Sequence, residues 1–264
     1  MASLMTYPRS PVLGIVLVCA LAACFPVIGA AAEHGDEHGS APAVGTHAEP
    51  DHGDHAVQGS DHAMAAGGDH AAALTGRQAL DALLAGNRRF VADVVSFAHR
   101  GAGRRSEVAT GQHPIAAVVC CSDSRVPPEQ VFDQGVGDIF VVRTAGNVVD
   151  AVALGSIEYA CEHLHTSLVL VLGHERCGAV TAAVGEGTPV GQVRAVVDQI
   201  RRHLGERNRA PADAVEQAVQ LNARGVAQDI AACGPIISGL VRSEDVVVVA
   251  ARYDLDTGDV TVLP

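Results

Sequence analysis

Two short apolar runs, each ending in metal-ligating side chains, constrain this chain more than any other feature. Ile115-Ala116-Ala117-Val118-Val119 leads through Cys120 into Cys121-Ser122-Asp123-Ser124-Arg125. Ser167-Leu168-Val169-Leu170-Val171-Leu172-Gly173 leads into His174-Glu175-Arg176-Cys177. Neither run alternates apolar with polar residues, which marks strands buried on both faces, as in a parallel sheet covered by helices. In open parallel sheets, ligands gather at the carboxyl ends of strands where the strand order reverses. Two ligand clusters at two strand ends can therefore converge on one point. Cys121, His174 and Cys177 supply two thiolates and an imidazole, a soft set that suits zinc. Three protein ligands with an open fourth position describe a catalytic zinc site. His174 and Cys177 face one ion only if the chain turns between them, because an extended strand would send them to opposite faces.

The flanking sequence supports an α/β fold. Residues 76–95 read as a helix, with Leu80, Leu83 and Leu84 on one face. Strands are expected at Ile115–Cys121, Ile139–Arg143, Leu168–Leu172 and Val246–Arg252. Helices are expected at Asp150–Leu164, with Asp150 as N-cap, and at Cys177–Val184, Gln192–Leu204 and Ala212–Ala231, the last with Pro211 at its start. Thr257-Gly258-Asp259 turns the chain into Val260–Leu263, an antiparallel edge strand. The expected architecture is a mostly parallel sheet, about four parallel strands plus that antiparallel edge, flanked by helices.

Cys121-Ser-Asp-Ser-Arg125 combined with Gly173-His174-x-x-Cys177-Gly178 resembles the β-class carbonic anhydrases. Leu84-Ala-Gly-Asn-Arg-Arg-Phe90 is similar to that family's N-terminal helix motif, Asp138–Asn147 to its second strand and following turn, and Gly155–Tyr159 to its next helix. Val246–Leu263 is similar to its closing strands, so the resemblance covers roughly residues 75–264. It implies one zinc ion per subunit, held by Cys121, His174 and Cys177, and reversible hydration of carbon dioxide to bicarbonate and a proton. A homodimer or homotetramer is also implied. Zinc lowers the pKa of bound water to about 7, and the resulting hydroxide attacks carbon dioxide. Asp123 and Arg125 are the expected helpers. Paired with Arg125, Asp123 orients the hydroxide; freed from it, Asp123 becomes a fourth zinc ligand and closes the site. Ala145-Gly146-Asn147 is expected to line the pocket by resemblance. Gln134 is offset from the position of a substrate-binding glutamine in some relatives and receives no such role.

The N-terminal part has a different character. Residues 1–32 read as an export signal, with Arg9 before an apolar stretch from Val12 to Ala23. Two processing readings compete: cleavage after Ala30-Ala31-Ala32, or a lipobox at Leu21-Ala22-Ala23 that leaves Cys24 lipidated. Both place the domain outside the cytoplasm, in a periplasm, with membrane attachment only through a lipid on Cys24. Residues 33–74 hold seven histidines and eight carboxylates and no Lys or Arg. Their composition predicts disorder and suits divalent-metal capture, set against a plain solubilising linker. This tail supplies −8 of the formal net charge of −12, leaving residues 75–264 only mildly acidic. That excludes the basic face a nucleic-acid binder needs. Cys120, Cys161 and Cys233 carry no motif and read as core thiols.

Two other functions fit the same residues. One is hydrolysis of a related heterocumulene, carbon disulfide or carbonyl sulfide. The other is non-catalytic zinc storage in the periplasm. The intact Asp123-Arg125 pair favours catalysis.

Overall fold

The continuous apolar runs become β1 (Ala116–Cys121) and β3 (Leu168–His174), and every residue in both is buried. The computed structural model describes residues 74–205 and 214–264. The export signal, the tail as far as residue 73, and Pro211 lie outside them. With β2 (Ile139–Thr144), β4 (Val247–Tyr253) and β5 (Val260–Val262), these strands form a five-stranded sheet in the order β2-β1-β3-β4-β5. The first four are parallel to their neighbours and β5 is antiparallel to β4. From β1 the chain steps outward to β2, then crosses to place β3 on the other side of β1. The strand order therefore reverses between β1 and β3, and their carboxyl ends flank the crevice this topology creates.

The helices are α1 (Gly76–Val91) and α2 (Ala102–Val108), which precede β1, and α3 (Pro128–Val131), α4 (Ala151–Glu162), α5 (Gly178–Val184), α6 (Val193–Leu204), α7 (Ala214–Ala232) and α8 (Ile236–Arg242), which lie between the successive parallel strands. A 3-10 turn spans Ala145–Asn147. Alternate residues of each strand point to opposite faces of the sheet. Ala117, Val119, Val169 and Val171 join Ile157 of α4, Val226 and Ile230 of α7 and Ile237 of α8 in one apolar layer. Val118, Cys120, Leu168, Leu170 and Leu172 join Leu80 and Leu83 of α1 and Phe132 in the other. Each fully buried leucine contributes roughly 1.5–3 kcal/mol, so the three of β3 alone are a large share of what a domain's net stability comes to.

Local signals account for the helix ends. Thr75 and Gln78 form a reciprocal capping box that starts α1. The helix stops at Val91, short of the expected residue 95, because Ala92 caps it and Asp93 turns left-handed at φ 56°. Asp150 accepts from the backbone N–H groups of Val152 and Ala153 and starts α4, which ends at Glu162. Helices α2, α3 and α8 have no counterpart in the sequence reading. No residue of α2 is buried, so it carries no apolar period to detect. Buried Asn87 ties α1 to the far end of the sheet: its Nδ2 donates to Val131 O (3.1 Å) and Gly258 O (2.8 Å), and its Oδ1 accepts from Val260 N–H (2.9 Å).

Candidate metal centre

Cys121 is the last residue of β1 and His174 the last of β3, so the sheet register delivers both to the switch point. Arg176 at φ 49° turns the chain after β3 and brings Cys177 back to cap α5. The Sγ atoms of Cys121 and Cys177 and an imidazole nitrogen of His174 lie within 4.8 Å of one another, and all three residues are buried. An apolar wall of Val148, Val180, Val197 and Ile200 surrounds the sulfurs.

The His174 ring has a fixed tautomer. A carbonyl can only accept, so Nδ1 carries the proton it donates to Glu175 O at 2.8 Å. That leaves Nε2 as a lone pair, buried and without a hydrogen-bond partner. A buried orphaned acceptor is costly unless something binds it. Two sulfurs beside it complete a soft donor set that fits zinc. The Glu175 carboxylate is itself held by Arg252 and by Leu255 N–H, which fixes the carbonyl that orients the ring.

The sulfurs share one proton in the metal-free pair. Cys121 is the thiolate: the Cys177 thiol donates to it, the N–H groups of Asp123 and Gly146 also stabilise it, and its pKa falls to about 4 against the cost of burial. The Cys177 thiol is pushed up because its proton is committed to Cys121 and because it is buried. Cys120 points to the opposite face, among the apolar side chains around α1, where burial raises its thiol to about 12.

Asp123 engages Arg125 in this structure. Oδ1 accepts from Arg125 N–H and Nε, both at 2.9 Å, and Oδ2 accepts from Nη2 at 2.7 Å. This fork holds the carboxyl well below the usual carboxylate range, partial burial notwithstanding. Oδ2 is also 3.9 Å from His174 Nε2, so the carboxylate borders the cluster while bonded to Arg125. Arg143, at the end of β2, shapes the intervening loop by donating to Cys121 O and, at 2.7 Å, to Asp123 O. Sequence reasoning gave Arg143 no role; a lone cation closing an apolar strand was the available signal. Gly146 stands at φ 68°, where a Cβ would meet Ile200 Cδ1 at 2.7 Å, and its N–H reaches Cys121 Sγ at 3.2 Å. The Gln134 amide donates to Phe132 O, two residues back. A second group of carboxylates, Glu175, Asp254 and Asp256, is matched by Arg252 and Arg176.

Comparison with known proteins decides the family. The carbonic anhydrase family model matches residues 116–260, a span that contains the whole cluster. A carbonic anhydrase 2 from Mycobacterium tuberculosis is 40% identical over 184 residues, covering 68% of this chain and 89% of that protein. The chain belongs to the β-carbonic anhydrase family. By that membership it is a lyase of the carbonate dehydratase type. The fold agrees with solved β-carbonic anhydrases. One from Coccomyxa, in complex with acetazolamide, superposes with a TM-score of 0.57 at 27% identity, covering 70% of this chain and 86% of that one. Another, from the ascomycete Sordaria macrospora and described as tetrameric, gives a TM-score of 0.55 at 26% identity over 60% of this chain and 84% of its own.

Proposed function

We propose that this β-carbonic anhydrase is a zinc enzyme that interconverts carbon dioxide and bicarbonate, with Cys121, His174 and Cys177 as the metal ligands. The observation that carries the reading is the orphaned, buried Nε2 of His174 facing two buried sulfurs beside the Asp123–Arg125 pair. Zinc, when bound there, supplies the Lewis acidity that makes water a nucleophile near neutral pH. The chain's own groups do the rest. Arg125 keeps Asp123 ionised, and Asp123 Oδ2 accepts a hydrogen from the attacking water and so fixes its direction. Arg143 holds the backbone of the Cys121–Asp123 loop, so that carboxylate cannot drift from the cluster. In this reading Asp123, while bound to Arg125, would orient water at the site, and on release from Arg125 it would itself be able to help hold the zinc.

The assembly is proposed to be a homodimer or homotetramer. β2 is an open sheet edge among the described residues, and Val152 and Tyr159 stand exposed on α4. Sedimentation equilibrium returning a monomer at micromolar concentration would contradict this. Export to a periplasm, with or without a lipid on Cys24, is proposed from the N-terminal sequence. Mass spectrometry of the mature N-terminus separates the two processing routes, and an uncleaved cytoplasmic chain would refute both.

The test of the zinc reading compares metal content and turnover. Beyond any zinc held by the His-rich tail, the chain should bind about one zinc tightly at the cluster, and His174→Ala and Cys177→Ala should each weaken that site's zinc affinity at least tenfold. Full zinc binding with turnover of carbonyl sulfide but not carbon dioxide would reassign the substrate, and binding with no turnover would point to storage.

A further inference from the structure

A chain of hydrogen bonds runs from solvent to the Cys121 sulfur through residues outside the ligand cluster. Gly146 N–H donates to Cys121 Sγ at 3.2 Å, and Gly146 O accepts from Asn222 Nδ2 at 2.8 Å. With Nδ2 committed there, Asn222 Oδ1 is left to accept from His203 Nδ1 at 2.9 Å. The other ring nitrogen of His203 meets Asp229 Oδ2 at 3.0 Å. Asn222 is fully buried, the His203 side chain is 9% exposed, and that of Asp229 is 51% exposed.

The surroundings are fitted to this arrangement. Asn222, Gly225 and Asp229 are spaced three and four apart, which puts them on one stripe of α7. A Cβ at Gly225 would lie 2.4 Å from His203 Cδ2, so glycine there is what admits the ring. His203 lies one turn beyond Ile200 on α6, and Ile200 walls the Gly146 turn from the other side. Helix α6 thus both confines the turn and, through Asn222, pins it.

We propose that His203 is a positioning residue for the reaction: through Asn222 it locks the Gly146 turn so that the Gly146 N–H stays on the Cys121 sulfur. The proposal rests on the zinc reading above. A hydrogen bond to a thiolate draws charge from the sulfur, and a weaker sulfur donor leaves zinc a stronger acid toward water. Loosening the turn should therefore raise the pH at which activity appears.

His203→Ala and His203→Gln in the full zinc-loaded chain test this, with three measurements. These are the midpoint of the pH–activity curve, the thiolate-to-metal absorption of the cobalt-substituted protein, and hydrogen exchange at the Gly146 amide in metal-free protein. The alanine variant should keep its zinc. Its midpoint should move up by about half a pH unit or more, its charge-transfer band should move to lower energy, and Gly146 should exchange about tenfold faster. The glutamine variant, which can still donate to Asn222, should recover most of each change. Wild-type values of all three in zinc-replete His203→Ala would overturn the proposal. If the alanine variant does not fold, Asp229→Asn weakens the same chain at its exposed end. It should shift all three in the same direction but less, and unchanged Gly146 exchange would overturn the proposal. A wild-type chain that binds no zinc would sink the zinc reading alone, because Gly146 exchange is read without metal.

Discussion

The charge on Asp123 is fixed by its neighbour. Arg125 lowers the carboxyl far enough that Asp123 stays ionised across the neutral range. A depressed folded-state pKa means that the ion pair's contribution is present above the unfolded value of about 4 and disappears only as the pH falls through the lower folded value. Arg125 is half exposed, so that contribution to stability is small. In the proposed mechanism the larger effect is on orientation. Arg125→Ala should cut kcat by about tenfold to a hundredfold with little change in thermal stability, as measured by carbon dioxide hydration beside a melting curve. Equal activity would remove the dyad from the mechanism. Cys120 and Cys161 behave in the opposite sense, since burial raises both thiols to about 12. Their neutral forms favour the fold below the unfolded pKa of about 9, and that preference is lost as the pH rises from there toward 12. Urea midpoints should fall steeply over that alkaline window, and less steeply in a Cys161→Ala variant. At this scale the sequence showed the cluster because ligand-type residues sit at the ends of two apolar runs. It could not show that Asp123 lies on Arg125, which is a rotamer choice. Nor could it show His203 and Asn222, which reach Cys121 only through tertiary contacts across α6, α7 and the Gly146 turn.

The elements most legible in the sequence are those with the strongest apolar pattern. β1 and β3 are read almost to the residue because nothing polar interrupts them, and their burial on both faces follows from the same fact. Leu170→Ala removes a fully buried side chain from the centre of the sheet. It should cost about 2–5 kcal/mol in denaturant unfolding, and a loss below about 1 kcal/mol would mean that this layer is not the core it is taken to be. Helix α2 was missed because it buries nothing, and α3 and α8 because four and seven residues are too short to establish a period. The end of α1 was misplaced by the left-handed Asp93, a residue type that tolerates that conformation without announcing it.

At the scale of the molecule, one topological fact gathers the chemistry. The strand order reverses between β1 and β3, and every proposed ligand stands at or just beyond the end of one of them. Sequence alone suggested this convergence but could not fix the strand order, because register and crossover are set by packing between distant segments. The sheet also explains why so few aromatic residues suffice: interdigitating Val, Leu, Ile and Ala fill both layers. The central claim is that this crevice makes zinc catalytic. It is tested most directly by stopped-flow carbon dioxide hydration with the zinc-loaded full chain, from about pH 6.5 to about pH 9, with Cys177→Ala alongside and zinc content measured on the same samples. The account predicts fast hydration that rises with pH in the wild type and is lost, together with the zinc of the cluster, in the variant. Hydration that persists in a zinc-free Cys177→Ala chain, or a wild type with one bound zinc that is inactive at every pH, would contradict it.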